Sequence, residues 1–278
     1  MDQLLEIAIN AAIAAGSEIM LHYDKPFDVD YKSDSSPLTI ADRSAHNVIA
    51  EALQSTGIPL LSEEGKHNPY EERKNWQYLW IVDPLDGTKE FIRHNGEFTV
   101  NIALVKENKP VLGVVYSPPL RTLYFASTHL NKAFKLILNE NSTEVNNILN
   151  QAEELPVIQK KKMLTVVASK SHLNQETSDF IDQLKELHGD INLVSKGSSL
   201  KFCLIAEGVA DIYPRFAPTY EWDTAAAQAV VEQSGGEVVN TDTLAPLSYN
   251  KENLLNPGFI ARRKSAVASW QSRVGSRQ

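Results

Sequence analysis

The sequence predicts an α/β protein of two lobes, an N-terminal α+β lobe with a mainly antiparallel sheet and a C-terminal α/β lobe. Three observations carry this. Two stretches with apolar residues at helical spacing open the chain. Four strand-like runs separated by short polar turns follow between Phe98 and Leu138, the pattern of an antiparallel meander. From Leu164 onward strand-like and helix-like segments alternate. The 278 residues suit one large domain or two closely packed ones.

Leu4, Ala8, Ala11, Ala15 and Ile19 recur every three or four residues and predict the first helix. A polar, turn-rich stretch, Ser33–Pro37, separates it from a second helix marked by Ala45, Val48, Ile49, Ala52 and Leu53 and closed by Gly57. Ile58–Leu61 reads as a short strand that stops at Ser62-Glu63-Glu64-Gly65, and His67–Gln77 as a surface loop or short helix. The continuous apolar run Tyr78–Val82 predicts a buried strand that delivers Asp83 at its end. Alternation through Phe98, Val100, Ile102 and Leu104, a polar turn at Lys106–Pro110 and a run at Val111–Tyr116 predict a hairpin. Thr122–Ala126 and Ala133–Leu138 extend the sheet.

Asn139–Lys162 is polar and weakly patterned, the place for an insertion or a boundary, which divides the chain into lobes at 1–160 and 161–278. Beyond it the expected order is strand Leu164–Ala168, helix Ser178–Leu187, strand Ile191–Val194 and helix Ser199–Glu207. A strand at Asp211–Tyr213, a helix at Asp223–Gln233 and a strand at Glu237–Val239 complete it.

With 27 basic against 35 acidic side chains the formal charge is −8, which argues against a nucleic acid polymer as the main partner, because that needs a basic face. A small anion stays possible, since bound cations reverse the sign of a site locally. At 42% hydrophobic and 22% charged the chain is ordinary globular material. The single cysteine, Cys203, excludes an internal disulfide framework and a Cys-rich zinc site and fits a reducing compartment. No segment is expected to span a bilayer. The apolar run Ile7–Ala15 is flanked by Asp2 and Glu6 rather than by the positive charge of a secretory signal, so a cytoplasmic location is expected.

The chemistry concentrates in acids at element ends. In Asp83-Pro84-Leu85-Asp86-Gly87-Thr88 two carboxylates flank a proline turn, and Gly87 allows close backbone approach where a new helix could present its amides to an anion. An Asp capping that helix would look the same. Glu63-Glu64 reads equally as a solvated acidic turn, Asp223 before Thr224-Ala225 as a helix N-cap, and Thr39 with Asp42 as a cap and a first-turn acid. If Glu63, Asp83, Asp86 and Asp223 converge, repulsion of about 4 kcal/mol per pair at about 4 Å demands protons or cations. All-oxygen ligands point to magnesium.

Taken together, Glu63-Glu64, Asp83-Pro84-Leu85-Asp86-Gly87-Thr88 and Trp222-Asp223, in this order and at these separations, resemble the inositol monophosphatase superfamily of magnesium-dependent, lithium-sensitive phosphomonoesterases. The similarity runs from the first helix to Phe259. Within the superfamily it looks most like the bacterial 3′(2′),5′-bisphosphate nucleotidases. The phrases that carry this are Asp86–Phe91, Asn95-Gly96-Glu97-Phe98-Thr99-Val100-Asn101, Gly197-Ser198-Ser199-Leu200-Lys201-Phe202-Cys203 and Leu255-Asn256-Pro257-Gly258-Phe259. Relatives usually have a glycine in the turn that matches Ser127–Phe134, which this chain lacks, and its Asn139–Gln159 stretch is longer.

The resemblance implies a layered αβαβα architecture and two or three Mg2+ ions held by Glu63, Asp83, Asp86, Asp223 and the backbone carbonyl of Leu85. Glu63, Asp42 and Thr88 are then catalytic, with Thr88 and Asp42 orienting an attacking water. Gly87 and Thr88 hold the reacting phosphate through their amides beside Glu63, Leu85, Asp86 and Asp223. His172, Ser198, Lys201 and Arg215 grip adenosine and its 5′-phosphate. Glu64 is a less direct participant.

The implied substrate is 3′-phosphoadenosine 5′-phosphate, a by-product of sulfate assimilation, cleaved to AMP and phosphate by direct attack of water. An inositol or sugar monophosphatase is the alternative, and a nucleotide-binding regulator without turnover a further one. Oligomeric state and any peripheral attachment at the inner face of the cell membrane stay open. Walker and Gly-x-Gly-x-x-Gly loops are absent from the sequence, and Ser198-Ser199-Leu200-Lys201 lacks the companion motifs of acyl-transfer enzymes.

Overall fold

The computed structural model describes residues 3–25, 29–31, 37–139, 148–157, 161, 163–169 and 174–264. Leu5, Ala8, Ile9, Ala12, Ala15 and Ile19 form one buried stripe along α1 (Gln3–Tyr23), the spacing by which a helix turns one side to a core. Gly16 lets it sit close, since a Cβ there would lie 2.4 Å from the Tyr116 ring. By length and composition alone α1 could also cross a membrane, which corrects the expectation that no segment would pass that test. Half of its apolar window is instead buried in the protein's own interior.

A two-stranded antiparallel ribbon of β1 (Asp30–Tyr31) and β2 (Pro37–Leu38) precedes α2 (Ile40–Gln54). The turn expected at Ser33–Pro37 lies almost wholly outside the described residues. At the start of α2, Thr39 Oγ1 accepts the Ala41 amide at 3.2 Å while Asp42 Oδ2 accepts the Thr39 amide at 2.7 Å. This reciprocal cap is the structural role that the sequence allowed for the pair.

The next strands are β3 (Leu60–Ser62), β4 (Tyr78–Asp86), β5 (Thr99–Lys106), β6 (Lys109–Ser117), β7 (Thr122–Ser127), β8 (Lys132–Ile137) and β9 (Glu153–Leu155). They form a seven-stranded sheet in chain order, parallel between β3 and β4 and antiparallel elsewhere. Short helices α3 (Tyr70–Arg73), α4 (Thr88–Ile92) and α5 (Ile148–Gln151) interrupt the series. The missing glycine between β7 and β8 costs nothing visible. Asn131 takes the left-handed conformation (φ 52°), which asparagine tolerates, and the hairpin closes in register from Ser127 opposite Lys132. The Asn139–Lys162 stretch, expected as an insertion or a boundary, supplies α5 and the edge strand β9 of this sheet. Residues 140–147, 158–160 and 162 lie outside the described residues.

The remaining elements are β10 (Thr165–Ala168), α6 (Gln175–His188), β11 (Asn192–Ser195), α7 (Leu200–Glu207), β12 (Ile212–Arg215), α8 (Ala225–Gln233), β13 (Gly236–Asn240) and β14 (Phe259–Arg263). The strands form a mixed sheet in the order β11-β10-β12-β14-β13. Sequence patterning missed β14 because only Phe259, Ile260 and Ala261 are apolar before Arg262-Arg263. Yet it sits between β12 and β13, antiparallel to both.

Period-two alternation then stacks the layers. On β5, Val100, Ile102 and Leu104 point toward α1 and α2, whereas Ala103 and Val105 point toward α7 and α8. On β14, Phe259 and Ala261 face that same middle helical layer, while Ile260 faces α6 with Val166, Phe180 and Leu184. The order is therefore α1/α2, seven-stranded sheet, α7/α8, five-stranded sheet, α6: the five αβαβα layers that the resemblance implied. Phe202, Tyr213 and Phe259, with ring centroids 5.0–5.6 Å apart, lock α7 to the second sheet. Each such pair is worth about 0.5–1.5 kcal/mol beyond area burial.

Candidate active site

A cleft of about 240 Å³ opens where β4 ends, where α4 begins and where the turns before α7 and α8 approach. Its key feature is a bulge. Asp83 pairs with Asn101 and Asp86 with Thr99, so three steps along β4 match two along β5. In a regular strand, residues an odd number apart point to opposite faces. The extra residue restores the same side and brings both carboxylates into one site. Pro84 fits there because a bulge asks for one amide fewer, and Asp83 Oδ1 accepts the Leu85 amide at 3.0 Å. The strand thus does not stop at Asp83, as the apolar run predicted, but carries the motif through to Asp86.

Asp86 Oδ2 is held by the Ser198 hydroxyl at 2.6 Å, the Ser199 amide at 2.7 Å, the Ser199 hydroxyl at 2.8 Å and Asn101 Nδ2 at 3.3 Å. So many donors to one oxygen leave the other for the cleft. Ser198 achieves this in a left-handed conformation (φ 51°). Its carbonyl accepts Lys201 Nζ at 2.7 Å, and the preceding Gly197 amide donates to Glu97 at 2.8 Å. A side chain at Gly197 would collide with Glu97, 2.9 Å from a Cβ.

Asp223 is not the N-cap of α8; Thr224 holds that place. The carboxylate turns back to accept the Tyr220 amide at 2.8 Å. Asn256 Nδ2 braces the turn on both sides, donating to the Tyr220 carbonyl at 2.6 Å and to Thr224 Oγ1 at 3.0 Å. Carboxylate oxygens of Asp83, Asp86 and Asp223 then all lie within 4.8 Å of one another. Enclosure by the protein and the charges of Asp86 and Glu63 push the Asp223 carboxyl up to about 8. The cluster needs a proton or a cation. Hard oxygen donors on three sides fit a divalent ion better than a proton.

Glu63 lines the same cleft but is not one of the three closest acids. The charge of Glu64 acts instead on His46 and on Asp42. Burial raises the Asp42 pKa, opposed by hydrogen bonds from Thr39 and Thr88. The Thr88 hydroxyl donates to Asp42 Oδ1 at 2.9 Å and also approaches the Leu85 carbonyl at 3.3 Å. Gly87 (φ 95°) and Thr88 open α4 at the cleft wall, and a Cβ at Gly87 would press on the Glu97 carbonyl at 3.2 Å.

Lys201 and Arg215 both line the cleft. Burial lowers the Lys201 ammonium to about 8, although Asp86 partly offsets it. Ser198 also lines the cleft, but its hydroxyl is engaged by Asp86 and Thr99. His172 lies outside the described residues. Sequence reasoning overlooked Thr99, Asn101 and Ser199 as the holders of Asp86, and Thr219 and Tyr213 as further lining. Thr99 and Asn101 were detectable as two polar residues two apart within an otherwise apolar strand.

A sequence profile described as the inositol monophosphatase family matches residues 1–272. The 3′(2′),5′-bisphosphate nucleotidase CysQ of Shigella flexneri is 45% identical over 264 residues, 93% of this chain and 98% of that protein. The crystal structure of CysQ from Bacteroides thetaiotaomicron, a bacterial member of the same family, superposes with a TM-score of 0.87 at 48% identity, covering 95% of this chain and 98% of that one. The extragenic suppressor protein suhB from Bartonella henselae shares the fold at a TM-score of 0.71 and 23% identity, with 94% of each chain covered.

Proposed function

This chain belongs to the inositol monophosphatase family, and we propose that it is a 3′(2′),5′-bisphosphate nucleotidase that hydrolyses 3′-phosphoadenosine 5′-phosphate to AMP and phosphate in sulfur metabolism. The observation that carries this reading is the convergence of Asp83, Asp86 and Asp223 within 4.8 Å in a cleft that is also lined by the cationic side chains of Lys89, Lys201 and Arg215. Near-full-length similarity to proteins named for that reaction supports the substrate. The proposed division of labour places Glu63, Asp83 and Asp86 in a lobe of residues 1–160, and Asp223 with the nucleotide-facing residues in a lobe of residues 161–278.

Two or three Mg2+ ions held by Glu63, Asp83, Asp86, Asp223 and the Leu85 carbonyl would supply Lewis-acid polarisation and charge neutralisation. The protein's own groups do the rest. Thr88, its proton directed to Asp42 Oδ1, presents oxygen lone pairs to an attacking water and passes on the proton that water loses. Asp42, its affinity for a proton raised by burial, receives it. The Gly87 and Thr88 amides hold the reacting phosphate. Lys201 and Arg215, with Ser198 and His172, engage the nucleoside and its 5′-phosphate, a choice supported by the presence of both cations in the lining of the cleft that holds the acids. No side chain need form a covalent phosphoenzyme. The proposed location is the cytoplasm, consistent with a single, free and buried cysteine.

The test is phosphate release from 3′-phosphoadenosine 5′-phosphate with magnesium, then with lithium added, beside inositol 1-phosphate. Turnover of the nucleotide that lithium suppresses supports the reading. Faster turnover of inositol phosphate would shift it to a general monophosphatase, and binding without release to a regulator.

A further inference from the structure

Glu63 and Asp223 reach the cleft from segments far apart in sequence, and one ring touches the residue before each of them. The Ser62 carbonyl, which can only accept, takes the His67 Nε2 proton at 3.0 Å. The His67 ring lies 5.3 Å from that of Trp222. Trp222 stacks on Tyr220 at 4.8 Å and 12°, and the Tyr220 amide is the donor that aims the Asp223 carboxylate, at 2.8 Å. Ser62 is tied from behind as well, its hydroxyl 2.9 Å from His46 Nδ1 on α2. The loop folds tightly enough that a Cβ at Gly65 would stand 3.3 Å from the His46 ring.

We propose that His67 is a positioning residue that couples the Glu63 loop to the Asp223 turn and so sets the separation of these two carboxylates. The proposal rests on reading both as ligands of one magnesium cluster. His67 touches neither substrate nor ion. Its job is geometric: Glu63 stands outside the tight trio of acids, so its contribution depends on how the loop is held against the turn. Parallel pairing on β4, through the Glu63 amide to the Val82 carbonyl at 3.1 Å, registers Glu63 with Asp83 but places no constraint on Asp223. His67 links loop and turn across that gap. It is also exposed, so removing it leaves no core cavity, and its loss can be read apart from folding.

The experiment is magnesium binding to the substrate-free protein by titration calorimetry, with thermal unfolding in parallel, for wild type, His67→Ala, His67→Gln, His67→Phe and Asp223→Asn. Residues that orient metal ligands from outside cost about 10- to 100-fold in metal affinity when lost, and His67→Ala is expected at about tenfold with an unchanged unfolding midpoint. Gln keeps a donor for the Ser62 carbonyl and Phe keeps the ring against Trp222, so each is expected to recover part of the loss. Wild-type affinity in His67→Ala overturns the proposal. Equal loss in all three His67 variants together with a lowered midpoint is general loosening and also overturns it. If Asp223→Asn binds magnesium like wild type, the ligand assignment itself fails, and the proposal with it.

Discussion

Ser199 donates twice to the same oxygen of Asp86, through its amide at 2.7 Å and through its hydroxyl at 2.8 Å. The two residues lie 113 positions apart in the chain, Asp86 at the end of β4 and Ser199 in the turn that opens α7. Asn101 links them, donating to Ser199 Oγ at 2.9 Å and to Asp86 at 3.3 Å. Such charge-assisted bonds are stronger than neutral ones, so this clasp fixes which oxygen of Asp86 is left for a cation.

Loss of the Ser199 hydroxyl is therefore expected to act on metal binding before it acts on the fold. Ser199→Ala keeps the amide bond, and magnesium affinity should fall about tenfold while the chain stays folded. Magnesium dependence of phosphate release and calorimetric titration measure this. Unchanged affinity would remove the clasp from the account of the site.

Thr88 is expected to act on the chemical step. Thr88→Ala should lower kcat by about 10²- to 10⁴-fold, the usual range for a group that handles a proton in the transition state. Thr88→Ser should recover most of it by restoring the hydroxyl to Asp42. Steady-state kinetics at saturating magnesium, with KM compared, separate this from weakened binding.

The raised pKa of Asp223 gives a signed pH dependence. A carboxyl at about 8 is mainly protonated at pH 7, and a metal ligand must lose that proton. Magnesium affinity should thus climb as pH rises toward 8 and level off above it. Binding at pH 7 should release protons, visible as a buffer-dependent enthalpy. For the metal-free protein the sign reverses. The folded state binds more protons than the unfolded one between the ordinary value of 3.8 and about 8, so stability falls as pH rises through that window and is flat above it. Urea unfolding in a chelator at pH 6 and pH 9 reads this directly.

Selectivity should divide between two cations. Arg215→Ala is expected to cut kcat/KM on the bisphosphorylated nucleotide by about tenfold or more, since a hydrogen bond to a charged group is worth about 1.5–3 kcal/mol, and to spare inositol 1-phosphate. Lys201→Ala should harm both substrates, because its ammonium also holds the Ser198 carbonyl at 2.7 Å in the turn that grips Asp86. Paired kinetics on the two substrates would expose the difference, and equal losses for Arg215→Ala would exclude a second phosphate site there.

Local periodicity was enough to read α1 and α2, whose buried faces recur every third to fourth residue, whereas the β5–β6 hairpin, buried on both faces, was readable as apolar runs broken by the polar turn Lys106–Pro110. The acids could be read too, as polar residues at the ends of apolar runs. Distance could not. That Asp83 and Asp86 share a side follows from one extra residue in β4 opposite β5, a fact of strand pairing that no spacing within the motif contains. Pairing with β12 and β13, rather than its own three apolar residues, makes β14 a strand. Asn101 becomes a partner of Asp86 through the pairing of β5 with β4, and Ser199 only once α7 lies across the first sheet. Sequence fixes which faces are buried through near-neighbour pattern; which buried faces meet, and so which carboxylates share a cation, is decided by long-range packing, whose free energy is gained only when the layers close.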